Sequence, residues 1–185
     1  MISRTDALKL LKKHNTETSL VYHSLETEAV MEDLAKKLDQ DPQVWGLTGL
    51  LHDLDYTSTK NDISRHGLAS IELLKGKIPE YCLKAIKKHN YSNNLSSPPS
   101  EPLDFALRCG ETVTGLISAN AMVRPGKMKG MKPKSLKKKM KSKSFAANVN
   151  RETIKECQKL GLELSEFFRI AIAAVYRIAD EVKLS

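Results

Sequence analysis

The chain has 185 residues, 41% of them hydrophobic, and carries a formal net charge of +8. A chain of this length and composition can bury a sizeable core without disulfide staples. No stretch approaches the ~18 consecutive apolar residues of a membrane-spanning helix, and the first residues lack the apolar centre of a signal peptide, so we expect a cytoplasmic protein without a membrane segment.

The spacing of the apolar residues predicts helices along the whole chain. Strand signals are almost absent, so we expect an all-α fold of about seven to nine helices that forms a single domain over residues 1–185. In chain order, the first predicted helix ends at His14, the second runs from Leu20 to Leu38, and the third is capped by Asp41 with Pro42 at its first position. The fourth is capped by Ser64, the fifth begins near Pro79, and the sixth runs from Pro102 to Met122. One or two helical turns follow within Ser135 to Lys141, then a helix capped by Asn150 that ends near Gly161, and a last helix from about Ser165. The cysteines lie on apolar helical faces and should be reduced core thiols: Cys82, Cys109 and Cys157.

Four histidines lie on the apolar faces of these helices or at their ends. His23 belongs to the apolar stripe of its helix, and His52, followed by Asp53, ends an almost wholly apolar helix. His66 and His89 share faces with small or apolar residues of the next two helices. Ionisable side chains that converge on a core must be satisfied by hydrogen bonds, pairing or a metal ion, so the pattern predicts a buried polar site.

Glu111 falls on the inward face of the longest predicted helix. Its neighbours on that face, Gly110, Thr114 and Ser118, are small and leave room for an ion and its waters. His14 is left out of the site, because a histidine beside lysines at a helix C-terminus has an ordinary helix-dipole explanation.

The candidate metal ligands are therefore His23, His52, Asp53, His66, His89 and Glu111. Imidazole and carboxylate donors without cysteine favour a borderline or hard divalent ion, namely iron, manganese, zinc, nickel or cobalt. Six candidates exceed a tetrahedral shell, which leaves room for one or two ions, with Asp53 as the natural bridge. The alternative is a polar core network that binds no metal.

The order His, His-Asp, His, His, carboxylate, with the string LLHDLDY from Leu50 to Tyr56, resembles the HD-domain metal-dependent phosphohydrolases, in particular the small HDIG-type members. Further stretches also look like that subfamily: Trp45 to Tyr56, Arg65 to Gly67, Ala85 to Asn90, Thr114 to Arg124 and Ser144 to Glu152. The resemblance covers nearly the whole chain. It implies an HD-type helical bundle around one or two metal ions that hydrolyses phosphomonoesters or phosphodiesters, often of nucleotides.

Two positions depart from the family pattern. The last ligand of the family is usually Asp, whereas this chain has Glu111, which is one methylene longer. The family has Ile-Gly after the His-Asp pair, whereas this chain has Leu54 and Asp55. Asp55 either orients a ligand histidine, accepts a proton near the metal water, or is a solvent-facing acid at a helix end.

The excess positive charge is concentrated in one segment. Residues 124–143 contain nine lysines, one arginine and no acid, which leaves 20 basic against 22 acidic residues in the rest of the chain. Glycine and proline predict a mobile basic segment over residues 124–144 that would attract phosphate substrates and close over them. We expect Arg124, Lys137 and Lys138 to contact substrate phosphate; the alternative is a solvated basic loop.

Three functions remain open from the sequence. The favoured one is a phosphohydrolase in which a metal-activated water attacks a small phosphorylated substrate, with Asp53 and Asp55 as catalytic residues. The second is a nucleic-acid-binding module with a structural metal, which the lack of an aromatic residue before Phe145 in the basic run disfavours. The third is a catalytically impaired nucleotide sensor, motivated by Glu111.

The last helix has a broad apolar face, which packs on the domain or on a second copy, so a homodimer also stays open.

Overall fold

Helices make up all the regular structure of the chain. The computed structural model describes residues 1–185 and contains no strand, which confirms the predicted all-α fold. The eleven α-helices are α1 (Arg4–His14), α2 (Thr18–Lys37), α3 (Pro42–Leu51), α4 (Tyr56–Thr59), α5 (Leu68–Leu74), α6 (Glu80–His89), α7 (Tyr91–Asn94), α8 (Pro102–Met122), α9 (Pro133–Lys141), α10 (Arg151–Lys155) and α11 (Leu164–Arg177). Two 3₁₀ segments, Ile63–Arg65 and Glu156–Leu160, complete the fold.

Several helices begin where their capping residues predict. The carboxylate of Asp41 accepts hydrogen bonds from the backbone of Gln43 and Val44, and Pro42 opens α3. The side chain of Asn150 accepts from the backbone N–H groups that open α10. These caps satisfy donors that would otherwise lack partners at the helix ends.

The helix predicted to begin at Ser64 starts later than expected. Ser64 lies within a 3₁₀ turn and does not cap α5, whose N-cap is Gly67 with a φ of 83°. His66 therefore lies in extended backbone just before α5 and not on its face. The single-turn helices α4 and α7, of four residues each, lie between the helices that the sequence predicts.

Helices α2 and α3 pack closely against each other at the centre of the molecule. A side chain at Gly49 would place its Cβ 2.9 Å from the main-chain oxygen of Thr27 and 2.9 Å from Met31, so glycine permits this close approach. The contact holds the end of α3, where His52 lies, against the part of α2 that carries His23.

One hydrophobic core of 43 buried residues runs from Ala7 to Leu184. Helix α8 crosses it in contact with α2, α6 and α10, and α11 packs on α2 and α9. The apolar face of α11 is covered within the chain, since Phe167 and Phe168 are fully buried. All three cysteines are buried and free, as expected. None of the helices combines the length and the apolar character that a membrane crossing requires.

The basic segment is helical in its second half. Residues 133–141 form α9, whose Leu136 is fully buried, and Met128 of the preceding turns is 1% exposed. The predicted helical turns over Ser135 to Lys141 are thus present. The mobility expected of residues 124–144 stays a prediction.

Candidate metal centre

The four predicted histidines meet at one place, although they come from four separate stretches of chain. His23 lies in α2, His52 directly follows α3, His66 precedes α5, and His89 is the last residue of α6. The ring centroids of His66 and His89 are 4.7 Å apart, and those of His52 and His89 are 5.4 Å apart. The convergence expected from the apolar faces is therefore observed.

Each imidazole is oriented by a hydrogen bond at its Nδ1 atom. His52 donates to the main-chain oxygen of Gly49 at 2.7 Å, and His89 donates to that of Ile86. His66 donates to Oδ1 of Asp55 at 2.9 Å.

His23 is oriented in the same way by a hydroxyl group. Its Nδ1 lies 2.9 Å from Oγ1 of Thr114, whose own proton goes to the main-chain oxygen of Glu111. With every Nδ1 acting as the donor, each imidazole in its neutral form presents the lone pair of its Nε2 atom to the centre.

The carboxylate of Asp53 lies at the point where the Nε2 atoms converge. Its Oδ1 is 3.2 Å from Nε2 of His52, 3.2 Å from that of His66 and 3.4 Å from that of His89. Its Oδ2 is 3.7 Å from Nε2 of His23. Asp53 therefore contacts all four imidazoles and divides them between its two oxygens.

The donor atoms fit a metal ion by their chemistry and by their arrangement. Nε2 of His66 and Nε2 of His89 are 3.0 Å apart, so two lone pairs face each other unless a cation or a proton lies between them. Two overlapping groups have donor atoms close enough to hold an ion: His23, His52 and Asp53, and Asp53, His66 and His89. Because Asp53 belongs to both groups, the arrangement also suits a pair of ions with a bridging carboxylate.

Burial and mutual charge set the protonation of the cluster. Burial, reinforced by the neighbouring His52, lowers the pKa of His23 to about 4. Burial opposes protonation of His66 as well, but its hydrogen bonds to Asp53 and Asp55 raise its pKa to about 10. The pKa of Asp53 is held well below its ordinary value by His52, against the effect of burial. The cluster thus favours an ionised Asp53, which is the form that binds a metal.

Asp55 is buried and bound on both carboxylate oxygens. Oδ1 accepts from His66, and Oδ2 accepts from the backbone N–H groups of Gly67 and Ser70 at 2.9 Å each. The residue is 1% exposed, so the reading of Asp55 as a solvent-facing acid was wrong. Its contacts suit the orientation of a ligand histidine.

Glu111 lies beside the histidine cluster in the wall of a cavity. Its carboxylate is outside both groups that could hold an ion, and burial raises its pKa to about 7. The cavity measures about 300 Å³. It is lined by His23, His89, Ser92, Arg108, Glu111, Thr112, Gly115, Asn148, Val149, Asn150 and Thr153. We call this space the metal cavity, because it opens onto His23 and His89.

Arg108 is a cavity residue that sequence reasoning missed. Its guanidinium binds both carboxylate oxygens of Glu156 at 2.7 Å, donates to the main-chain oxygen of His89 and stacks over Tyr91. The sequence does contain a signal for it: Arg108 lies three residues before Glu111, and this spacing places both side chains on one face of α8.

The predicted phosphate contacts lie away from the metal cavity. Arg124, Lys137 and Lys138 are not among its lining residues. The guanidinium of Arg124 binds the main-chain oxygens of Lys127 and Lys129. Lys137 is exposed on α9, and Lys138 lines a different cavity.

These features define an all-helical protein built around a buried histidine and aspartate cluster suited to divalent metal. The model of the HD domain family matches residues 20–141, more than half of the chain and all six predicted ligands, and the chain belongs to this family. Members of the family are generally metal-dependent phosphohydrolases. No curated protein and no solved structure matches the chain.

Proposed function

We propose that the protein is a metal-dependent phosphohydrolase that cleaves a phosphomonoester or phosphodiester, with a nucleotide as the substrate class. The observation that carries this proposal is the pair of ligand groups that share Asp53 beside an open polar cavity. Two-metal sites built on a shared carboxylate are common in enzymes that transfer or hydrolyse phosphoryl groups.

His23, His52, Asp53, His66 and His89 would hold one or two divalent ions, and Glu111 would serve as a further ligand at the cavity wall. The nitrogen and oxygen donors suit iron, manganese, zinc, nickel or cobalt. When bound, such ions supply Lewis acidity and lower the pKa of water to near neutrality. Asp55 acts through His66, whose ring it orients, and is a positioning residue in this proposal.

The cavity wall supplies groups that can orient a phosphoryl group. Ser92 and Thr112 contribute hydroxyls, and Asn148 contributes an amide. Arg108 also lines the cavity, and its bidentate pair with Glu156 fixes the guanidinium plane. A volume of about 300 Å³ lies at the small end of ligand cavities, so it holds the reacting group and only part of a larger substrate.

The test measures metal content and phosphoester hydrolysis on the same protein preparations. Protein purified without chelators, and reloaded with each of the five candidate metals, would be assayed with p-nitrophenyl phosphate, bis-p-nitrophenyl phosphate and a panel of nucleotides. We expect turnover in the unaltered protein and loss of both metal and turnover in Asp53→Ala. His14→Ala is the matched control, because His14 ends α1 and belongs to neither ligand group.

Two other outcomes would replace this proposal. Nucleotide binding without turnover under any metal would indicate a sensor. Binding of nucleic acid that falls steeply with salt and is indifferent to His52→Ala would indicate a nucleic-acid-binding module.

A further inference from the structure

A second polar cavity is lined by chain that comes just before residues 148–150 of the metal cavity. It measures about 670 Å³ and is open to solvent. Its lining residues are Lys138, Lys139, Lys141, Ser142, Ser144 and Phe145. We call it the basic cavity, because half of these side chains are lysines and none is acidic.

The lysines of the basic cavity are free to bind an anion. No salt bridge of the chain involves any residue from 124 to 143. The ammonium group of Lys139 lies 3.8 Å from the centre of the Phe145 ring, which holds its charge at the cavity wall. Ammonium and hydroxyl groups together are the donors that phosphate oxygens accept from.

One short segment, residues 142–149, contributes lining residues to both cavities and forms a wall of each. Ser142, Ser144 and Phe145 line the basic cavity, and Asn148 and Val149 line the metal cavity. Four residue steps separate Ser144 from Asn148, which limits the distance between their backbones to about 14 Å. A single molecule with several phosphate groups can span such a distance.

Arg151 fixes the conformation of this wall. Its guanidinium donates to the main-chain oxygens of Ser142 and Phe145, which line the basic cavity, and to that of Val149, which lines the metal cavity. It also donates to the main-chain oxygen of Ala146 between them. The wall also lies tight against α8, since a Cβ at Gly115 would be only 3.2 Å from Val149. The relative positions of the two cavities are therefore set by the fold.

We propose that the basic cavity is a second phosphate subsite for the same substrate. The reacting phosphoryl group occupies the metal cavity, and a further phosphate of the same molecule binds Lys138, Lys139 and Lys141. This inference rests on the proposed function and narrows its substrate to a phosphate chain, either a nucleotide polyphosphate or an oligonucleotide. It keeps Lys138 among the phosphate contacts, whereas Lys137 lines neither cavity and Arg124 is bound to backbone.

The first experiment measures anion binding without turnover. Protein stripped of metal with EDTA is titrated with inorganic phosphate, with tripolyphosphate and with a fluorescent oligothymidylate. The variant combines Lys138→Gln, Lys139→Gln and Lys141→Gln. The control removes the same charge from exposed lysines elsewhere, by Lys13→Gln, Lys75→Gln and Lys159→Gln.

We expect the cavity variant to bind tripolyphosphate or oligothymidylate about tenfold more weakly or worse, and the control to lose far less. The anion that shows the larger loss identifies the kind of phosphate chain. Equal losses in the two triple variants would overturn the subsite, because they would show a general effect of net charge.

The second experiment separates the subsite from the proposed function. With metal restored, KM for ATP or for oligothymidylate should rise about tenfold in the cavity variant while kcat stays within about twofold, and KM for p-nitrophenyl phosphate should not change. An unchanged KM for every multiply phosphorylated substrate would overturn the proposal. Selective loss of anion binding in a protein that hydrolyses no phosphoester would contradict the proposed function and still support an anion site.

Discussion

The side-chain amide of Asn15 donates a hydrogen bond to the main-chain oxygen of Asp53 at 3.0 Å, across 38 positions of sequence. The amide oxygen of Asn15 accepts the hydroxyl of Thr57 at 2.7 Å, and the residue is 1% exposed. The turn after α1 thus holds the backbone at the carboxylate that contacts all four imidazoles.

Replacing Asn15 with leucine should therefore weaken both the fold and the site. Asn15→Leu keeps the approximate size but leaves the buried main-chain oxygen of Asp53 and the half-buried hydroxyl of Thr57 without their partner, which should lower the free energy of unfolding by about 2 kcal/mol. Urea unfolding in EDTA measures this loss, and metal titration measures the effect on the site. Thr57→Val removes only one of the two bonds and should cost less. Equal stability of Asn15→Leu and the unaltered protein would contradict the assignment.

Asp55→Asn tests whether Asp55 positions His66 or accepts a proton. Asparagine replaces one carboxylate oxygen with an NH2 group, which is a donor. This donor would face another donor, either the ring N–H of His66 or the backbone N–H groups of Gly67 and Ser70. We expect metal affinity to fall about 10 to 100-fold, as is usual when the partner of a ligand histidine is lost. Isothermal titration with metal measures the affinity. Normal metal affinity with a selectively lowered kcat would instead support the proton acceptor.

Single histidine variants should divide the metal content into two parts. His66→Ala and His89→Ala remove donors from one group, and His23→Ala removes a donor from the other. We expect each to retain one ion of two when metal is supplied in excess, whereas Asp53→Ala loses both. Elemental analysis of desalted protein counts the ions per chain. One ion in the unaltered protein, unaffected by His66→Ala, would reduce the site to a mononuclear form.

Gly67→Ala should disturb the approach of His66 to His89. Gly67 has a φ of 83°, and a Cβ there would lie 2.9 Å from the main-chain oxygen of Ile86 in α6. The left-handed conformation alone costs an alanine about 1 to 2 kcal/mol. Gly76 is the matched control, because it has a φ of 74° and nothing within 4 Å of an added Cβ. We expect Gly67→Ala to lose more stability than Gly76→Ala in urea unfolding, and to lose metal affinity as well. Equal losses would show that α6 yields to the added methyl group.

Glu26 should make stability depend on pH. It is 4% exposed, and burial raises its pKa from 4.5 to about 7, although the hydroxyl of Ser118 donates to its carboxylate. A carboxyl group with a raised folded pKa contributes its full stability below the unfolded pKa and loses it as the pH rises through the folded pKa.

Glu26→Gln keeps an acceptor for Ser118 but cannot ionise. The variant should match the unaltered protein near pH 4 and exceed its free energy of unfolding at about pH 8 by up to about 3 kcal/mol. Urea unfolding across this pH range is the measurement. Parallel pH profiles of the two proteins would exclude Glu26 as the cause.

The helices and the inner ligands could be predicted because their signals are local. His23 falls in an apolar stripe, and His52 ends an apolar helix, so periodicity alone indicates that both point inward. The helix starts at Asp41 and Asn150 are predictable for the same reason, because the capping side chain alone indicates each of them.

Other features depend on contacts between distant segments. The burial of Glu26 and Glu28 was not expected, because it depends on Ser118 of α8 and Arg4 of α1. The partner of Asn15 lies 38 positions away, and nothing in its neighbourhood marks it. The start of α5 was misplaced because Ser64 has the chemistry of a cap, whereas the backbone at Gly67 decides where the helix begins.

The four imidazoles come from four stretches of chain, and no fragment shorter than the span from His23 to His89 carries the full set. Their nitrogen atoms can converge only after α2, α3 and α6 have packed, so metal occupancy reports on assembly of the whole core. A ligand that binds only the native chain stabilises it by an amount that grows with the logarithm of the ligand concentration relative to Kd. Gly49 supplies no donor atom to the metal, but a larger side chain there would push α3 away from α2. We therefore expect such a change to lower metal affinity before it lowers helix content.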